Sequence, residues 1–221
     1  MTLETPGSSR SHRPGLGAMA LATASVAALG TPAAAVADTG TETPASMVGA
    51  LHSAFGQHHV RAVHAKGTIL QGSFTPTAEA AALSRATVFA RGTLPVTVRV
   101  SDFTGLPDIP DTVGDANPRG FALKFRLPGG ETLDLVTHSF NGFPTRNADE
   151  FALLLRAIGA SGAGAPKPTE LDRFLGSHPI AKTFLTTQKP APLSYATLSY
   201  FGVNAFAFID ANGQRRNVRY R

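Results

Sequence analysis

A histidine set between Val63 and Ala65, at the head of the apolar run Thr68-Ile69-Leu70 and three residues before Gly67, places a titratable ring where a side chain is expected to be buried. A buried imidazole either satisfies its nitrogens within the core or exchanges a proton near neutral pH. Local sequence alone favours the core residue. A second group of polar side chains falls in residues 94–101. Leu94, Val96, Val98 and Val100 share one face of an alternating strand, and Thr97, Arg99 and Ser101 share the other. Such a face can simply meet water. Arg61, three residues before His64, adds a further cation nearby in sequence. His52, His58 and His59 offer no metal-ligand spacing and have no carboxylate beside them, so they read as surface residues at a helix end.

The elements that must position these groups follow from periodicity and turn chemistry. Residues 47–55 carry Met47, Val48, Leu51 and Phe55 near helical spacing, with a cap offered by Pro44-Ala45-Ser46. A strand through His64 leads to a helix predicted over 77–89 and then to the strand over 94–100. Residues 102–117, rich in Pro, Asp and Gly, read as a loop whose four aspartates have no calcium-loop register. Strands over 121–127 and 132–138 flank Pro128-Gly129-Gly130, a hairpin signal. Asp149 is the predicted cap of a helix carrying Phe151, Leu153, Leu154, Leu155 and Ile158. After a Gly/Ala connector, helices are predicted over 169–175 and 179–186. Residues 200–221 alternate as strands about the turn Asp210-Ala211-Asn212-Gly213. The order implies an α+β fold with about six strands.

Five collinear segments carry a resemblance. Arg61-Ala62-Val63-His64-Ala65-Lys66-Gly67 is similar to the segment bearing the distal histidine of haem catalases. Val98-Arg99-Val100-Ser101, Asn117-Pro118-Arg119-Gly120-Phe121-Ala122-Leu123-Lys124-Phe125, Leu133-Asp134-Leu135-Val136 and Tyr200-Phe201-Gly202-Val203-Asn204-Ala205-Phe206 then match in order. Ser101-Asp102-Phe103-Thr104-Gly105 and Ser139-Phe140-Asn141-Gly142-Phe143-Pro144 resemble in particular the small catalase-related peroxidases, which act on organic peroxides. The resemblance implies a catalase-like antiparallel β-barrel with helices packed outside, incomplete here because the chain ends during a strand.

It also implies haem, reduction of hydrogen peroxide or organic hydroperoxides at the cost of an electron donor, and roles for particular residues. His64 would shuttle a proton, with Ser101 hydrogen-bonded to its ring. Arg61 and Arg99 would meet the haem propionates, Val63 would pack on the ring, and Phe143 and Phe151 would line the pocket. Large catalases supply a distal asparagine through Gly-Asn-Asn, where this chain has Thr137-His138-Ser139, and Asn141 is the substitute. The axial tyrosine of the iron, which the family takes from an Arg-x-x-x-Tyr motif, is expected beyond Arg221, because Tyr195, Tyr200 and Tyr220 lie in segments matching other parts of the fold. A haem-free barrel holding an apolar ligand, and an inactive fragment, stand as alternatives. The resemblance is compatible with a homo-oligomer.

Composition narrows the partners. With 221 residues, 43% hydrophobic and 16% charged, the chain can bury one domain core. The net charge of +5 comes from dispersed Lys and Arg, only Arg215-Arg216 being adjacent, which argues for a solvated surface rather than a nucleic-acid interface. Cysteine is absent, which removes disulfides and thiolate chemistry and suits a protein exposed to peroxide. Residues 1–37 read as a signal peptide: Arg10 and Arg13 precede an apolar run over 16–29 too short to span a membrane, and Ala35 and Ala37 fit a cleavage site before Asp38. The mature chain would be exported to the periplasm or outside the cell, with 38–46 as a linker, 47–221 as the catalase-like domain, and no stable membrane insertion after cleavage.

Overall fold

The structure is a computed structural model that describes residues 41–90, 92–187 and 190–221. The signal peptide read over 1–37 lies outside the described residues, as does the start of the 38–46 linker. Residues 44–46 of that linker form the first turn of helix α1, Pro44–Phe55. Its cap is Thr43, whose side chain accepts from the Ser46 amide while the Ser46 side chain accepts from the Thr43 amide.

Four strands, β1 (Gly67–Phe74), β2 (Leu94–Ser101), β3 (Gly120–Arg126) and β4 (Thr132–His138), form one antiparallel sheet in chain order. Its register creates rows across the sheet. Gly67 opposes Ser101, Ser101 opposes Gly120, and Gly120 opposes His138. Two residues along, Ile69, Arg99, Ala122 and Val136 make the next row. Opposed residues share a face and alternate residues return to it, so these two rows lie on the same side. The other side is apolar. Val96, Phe125 and Leu135 are buried there with Val88, and Phe74, Leu94, Val98, Leu123, Phe206 and Tyr220 pack around them. The β2 alternation therefore sorts its valines from Arg99 and Ser101 as the sequence predicts.

The Val88 side of the sheet is met by a separate hairpin, β5 (Phe206–Ile209) and β6 (Arg215–Val218). Six strands and an α+β arrangement agree with the sequence reading. Among the described residues the strands make an open sheet and a hairpin rather than a closed barrel.

The helices α3 (Ala148–Gly159), α4 (Glu170–Ser177) and α5 (Pro179–Thr186) follow β4. Helix α3 crosses α1 through Ala50, Leu51, Ala152 and Leu155, with Phe55, Ala62, Val63 and Phe151 against that cluster. A side chain at Gly159 would strike the Ser53 carbonyl, so glycine sets how closely α1 and α3 approach.

Three local expectations are corrected. The helix predicted over 77–89 is only α2, Ala80–Leu83, and a 3-10 turn at Thr87–Phe89. Ser84 between them is extended at φ −159, its hydroxyl accepts from the Ala86 amide, and the Arg85 amide donates to Ile209 of β5. A backbone amide claimed by a distant strand cannot continue a helix. The cap of α3 is Asn147, which accepts from the Glu150 amide. Asp149 instead accepts from the amides of Thr41 and Glu42, fastening that segment to α3. Finally, His64 is not in a strand. Its φ is +52, and its amide donates to Phe103 O at 2.9 Å while that of Ala65 donates to Thr104 O at 3.0 Å.

Candidate active site

The left-handed turn at His64 determines where its ring goes. An ideal strand would send Arg61 and His64 to opposite faces. The irregular backbone removes that conflict, and both residues line one cavity of about 320 Å³. A bulky residue at positive φ costs free energy and persists only where its surroundings hold it. Here the hydrogen bonds from the His64 and Ala65 amides to the carbonyls of Phe103 and Thr104 do so.

The ring lies over the Ser101–Gly120 step of the sheet. Nδ1 is 3.0 Å from Ser101 Oγ. A Cβ at Gly120 would be 2.5 Å from Ser101 Oγ and 2.9 Å from His64 Nδ1, so only glycine admits the imidazole at this point. The Phe103 ring meets it edge to face at 5.4 Å. With Nδ1 engaged by Ser101, Nε2 is the nitrogen left for other work. Burial, then the positive charges of Arg99, His138 and Arg61, lower the His64 pKa to about 4, against the Asp102 backbone, which pulls it upward. The imidazole is neutral at pH 7.

Arg99 passes over Gly67, where a Cβ would come within 2.7 Å of Nη2, and donates to His64 O at 2.8 Å and Ala65 O at 3.3 Å. The same guanidinium that lines the cavity thus also braces the turn that aims His64. Beyond it the cavity wall has an apolar row and, further along the strands, the polar side chains Thr97, Lys124 and Asp134. Ile69, Ala122 and Val136 stand in one row, and Ile69 and Val136 are each 63% exposed. Large aliphatic groups left uncovered on a sheet face mark a surface made for an apolar partner.

Arg61, His64, Arg99 and Ser101 are therefore brought together. The other residues singled out in sequence lie elsewhere. Val63 and Phe151 pack with the α1–α3 cluster, and the Phe143 ring lies tilted against Phe151 at 5.0 Å. None of the three lines the His64 cavity. Asn141 borders a different cavity and accepts from Arg219 Nη2 at 3.1 Å. Among the described residues no three His, Cys, Asp or Glu side chains are grouped to hold a metal. Arg216 and Tyr220 do have the Arg-x-x-x-Tyr spacing, but the Tyr220 ring packs with Phe206 and Phe208 against the sheet face that holds Val96. It belongs to the opposite side from His64.

Sequence reasoning missed a buried network directly behind the site. Asp102 and Arg119 are 0% and 1% exposed and form an ion pair. Arg119 Nε donates to Asn117 Oδ1 at 3.1 Å, another of its nitrogens donates to the Asp111 carbonyl, and the Tyr195 hydroxyl donates to Asp102 Oδ1 at 2.6 Å. Burial and the carboxylate together push the Tyr195 pKa upward, keeping the phenol protonated. Asp102 directly follows Ser101, and its amide donates to Lys66 O. The signal was available: an arginine beside the first residue of an apolar strand needs a carboxylate partner. Which of the nearby aspartates supplies it was not readable. His138 was likewise passed over, although it is buried at the end of the Ser101–Gly120 row.

The model for the catalase family matches residues 52–221, and the chain belongs to the catalase family. A catalase-related peroxidase of Synechococcus elongatus is 36% identical over 209 residues, covering 92% of this chain and 60% of that protein. One from Mycolicibacterium paratuberculosis is 36% identical over 182 residues, covering 80% and 56%. A solved bacterial catalase, 26% identical, superposes with a TM-score of 0.60 over 72% of this chain and 32% of its own. A fungal catalase at 22% identity shares the fold with a TM-score of 0.62, covering 72% and 33%. The chain thus spans roughly 60% of the catalase-related peroxidases it matches and a third of the catalases.

Proposed function

We propose that this chain supplies the histidine side of a haem-dependent peroxidase that reduces hydrogen peroxide or organic hydroperoxides. The observation carrying this reading is the neutral His64 imidazole, held by Ser101 over Gly120 at the edge of an uncovered apolar sheet face. The residues fit a haem on this side. Ile69, Ala122 and Val136 present an apolar surface to a porphyrin, the missing Cβ of Gly120 leaves room for the imidazole, and Arg61 and Arg99 place two cations where carboxylates could be paired. Arg99 spends Nη2 on the His64 turn and keeps other donors of its fork free for that purpose. When bound, haem would supply the iron centre that takes up the oxidising equivalents of the peroxide.

His64 handles the proton. Neutral at working pH, its Nε2 accepts a proton from the nearer peroxide oxygen and returns it to the departing one, while Ser101 keeps Nδ1 from competing. Covered by a haem, the aliphatic row would exclude water from that exchange. None of Tyr195, Tyr200 and Tyr220 lines the cavity. Export of the chain is part of this reading and rests on the sequence of residues 1–37.

Haem titrated into the purified protein should produce a Soret band, and its Arg99→Ala variant should bind more weakly. In the haem-loaded protein, His64→Ala should lower peroxide turnover by about a hundredfold or more, the usual contribution of a positioned acid–base group. Full turnover in His64→Ala would remove the proposed role.

A further inference from the structure

We propose that Phe103, backed by Phe184 of α5, is the positioning residue that aims the His64 imidazole for proton exchange. This rests on the peroxidase reading above and deepens it by assigning what fixes the direction of Nε2.

The site needs such a residue. His64 leaves the backbone at a φ of +52, and Ser101 engages its ring at Nδ1 alone. A hydrogen bond keeps most of its strength when bent by about 30°, so the hydroxyl by itself leaves Nε2 loosely aimed.

Three observations assign the second support to Phe103. First, its ring meets the imidazole edge to face, with centroids 5.4 Å apart and planes at 86°, the arrangement of an attractive aromatic pair. Second, the Phe103 carbonyl accepts the His64 amide at 2.9 Å. One residue thus holds both the backbone and the ring of the other. Third, Phe103 is itself fixed. Its amide donates to Ala116 O at 3.0 Å, and the amide of Asp102 before it donates to Lys66 O at 3.1 Å. On the other side a Cβ at Gly105 would be 2.3 Å from Ala62 O, so residues 102–105 lie tight against the His64 turn. Behind the Phe103 ring, at 5.9 Å, stands Phe184, 1% exposed and itself met by Phe140 at 4.9 Å and Phe143 at 6.5 Å. The resemblance in sequence implies that Phe143 and Phe151 serve the site. The aromatic ring that reaches His64 is Phe103.

Phenylalanine suits this task because it has no polar atom to compete for Nε2. It also keeps water from the imidazole, whose neutrality owes most to burial and less to Arg99, His138 and Arg61.

The test begins with the full chain without haem, where NMR titration of His64 reads the imidazole directly. Phe103→Ala leaves the neighbouring cations in place and admits water, so the His64 pKa should rise by about one unit towards its ordinary value. Phe103→Tyr, which keeps the ring, should titrate as the natural chain does. Phe184→Leu, which loosens only the backing, should shift it in the same direction by less. Phe74→Leu is the control, since Phe74 packs on Phe125 on the opposite sheet face and should lower Tm without moving the titration. An unmoved His64 titration in Phe103→Ala, or in Phe184→Leu where Phe103→Ala does not fold, assigns Phe103 to packing alone and overturns the proposal. In the haem-loaded protein, Phe103→Ala should lower kcat for a hydroperoxide by about tenfold to a hundredfold with KM little changed, the scale of a misaimed acid–base group. The acid limb of its pH profile should move to higher pH, because His64 must be neutral to accept the proton. Unchanged kcat and acid limb overturn the proposal. If His64→Ala abolishes turnover and Phe103→Ala does not lower it, only this inference fails; if His64→Ala turns over normally, the peroxidase reading itself fails.

Discussion

His64 is held neutral by its surroundings, and that has a measurable consequence for stability. Its pKa is about 4 in the folded chain, against roughly 6.5 when unfolded. Between those values the unfolded chain carries a proton that the folded chain does not, so stability falls as pH drops from 6.5 towards 4. The effect is on the order of 3 kcal/mol at most. Burial lowers the His138 pKa as well and acts in the same direction. Urea denaturation across this range should show the decline, and His64→Gln should flatten part of it. Gly120→Ala is the sharpest test of packing at the site. Its new methyl group meets Ser101 Oγ and the imidazole together, and it should cost about 1–3 kcal/mol while displacing the His64 ring signals in NMR spectra.

At the scale of the elements, the helices depend on small residues and caps more than on length. Gly159→Ala would drive a methyl group into the Ser53 carbonyl at the α1–α3 crossing, and backbone cannot yield as a side-chain tip can. A loss of about 1–3 kcal/mol in thermal denaturation is expected. Thr169 caps α4 by accepting from the Asp172 amide, with Asp172 returning a bond to the Thr169 amide. Thr169→Ala should cost about 1 kcal/mol. The strands β2, β3 and β4 and helix α5 are readable from alternation, turn residues and proline because each signal is local. The 77–89 segment is not, because the Arg85 amide is taken by Ile209, more than a hundred residues away.

Across the molecule, the Asp102–Arg119–Tyr195 network joins the end of β2, the approach to β3 and the segment that precedes β5. Removing one member leaves a buried group without its partner. Arg119→Met should destabilise the chain by about 3–5 kcal/mol, whereas Lys124→Ala, which breaks an exposed pair with Asp134, should cost no more than about 1 kcal/mol. Chemical denaturation of the two variants side by side separates these cases. Since Asp102 adjoins Ser101, the Arg119 variant should also loosen the serine that holds His64, visible as a shift of the His64 resonances at temperatures where the chain remains folded.

The order of residues determined the strand alternation that parts Arg99 and Ser101 from the valines, the hairpin at Pro128-Gly129-Gly130, and the motifs that gather His64, Arg61, Arg99 and Ser101 into one family pattern. Those are properties of neighbouring residues or of type and spacing. Tertiary structure alone decided that His64 turns through a positive φ, that Gly120 vacates the space for its ring, that Asp102 is the aspartate paired with Arg119, and that His138 rather than Asn141 shares its face of the sheet. The physical reason is the same for each. A hydrogen bond or a steric gap between residues tens of positions apart is fixed by strand register and loop path, and neither leaves a mark in the local sequence.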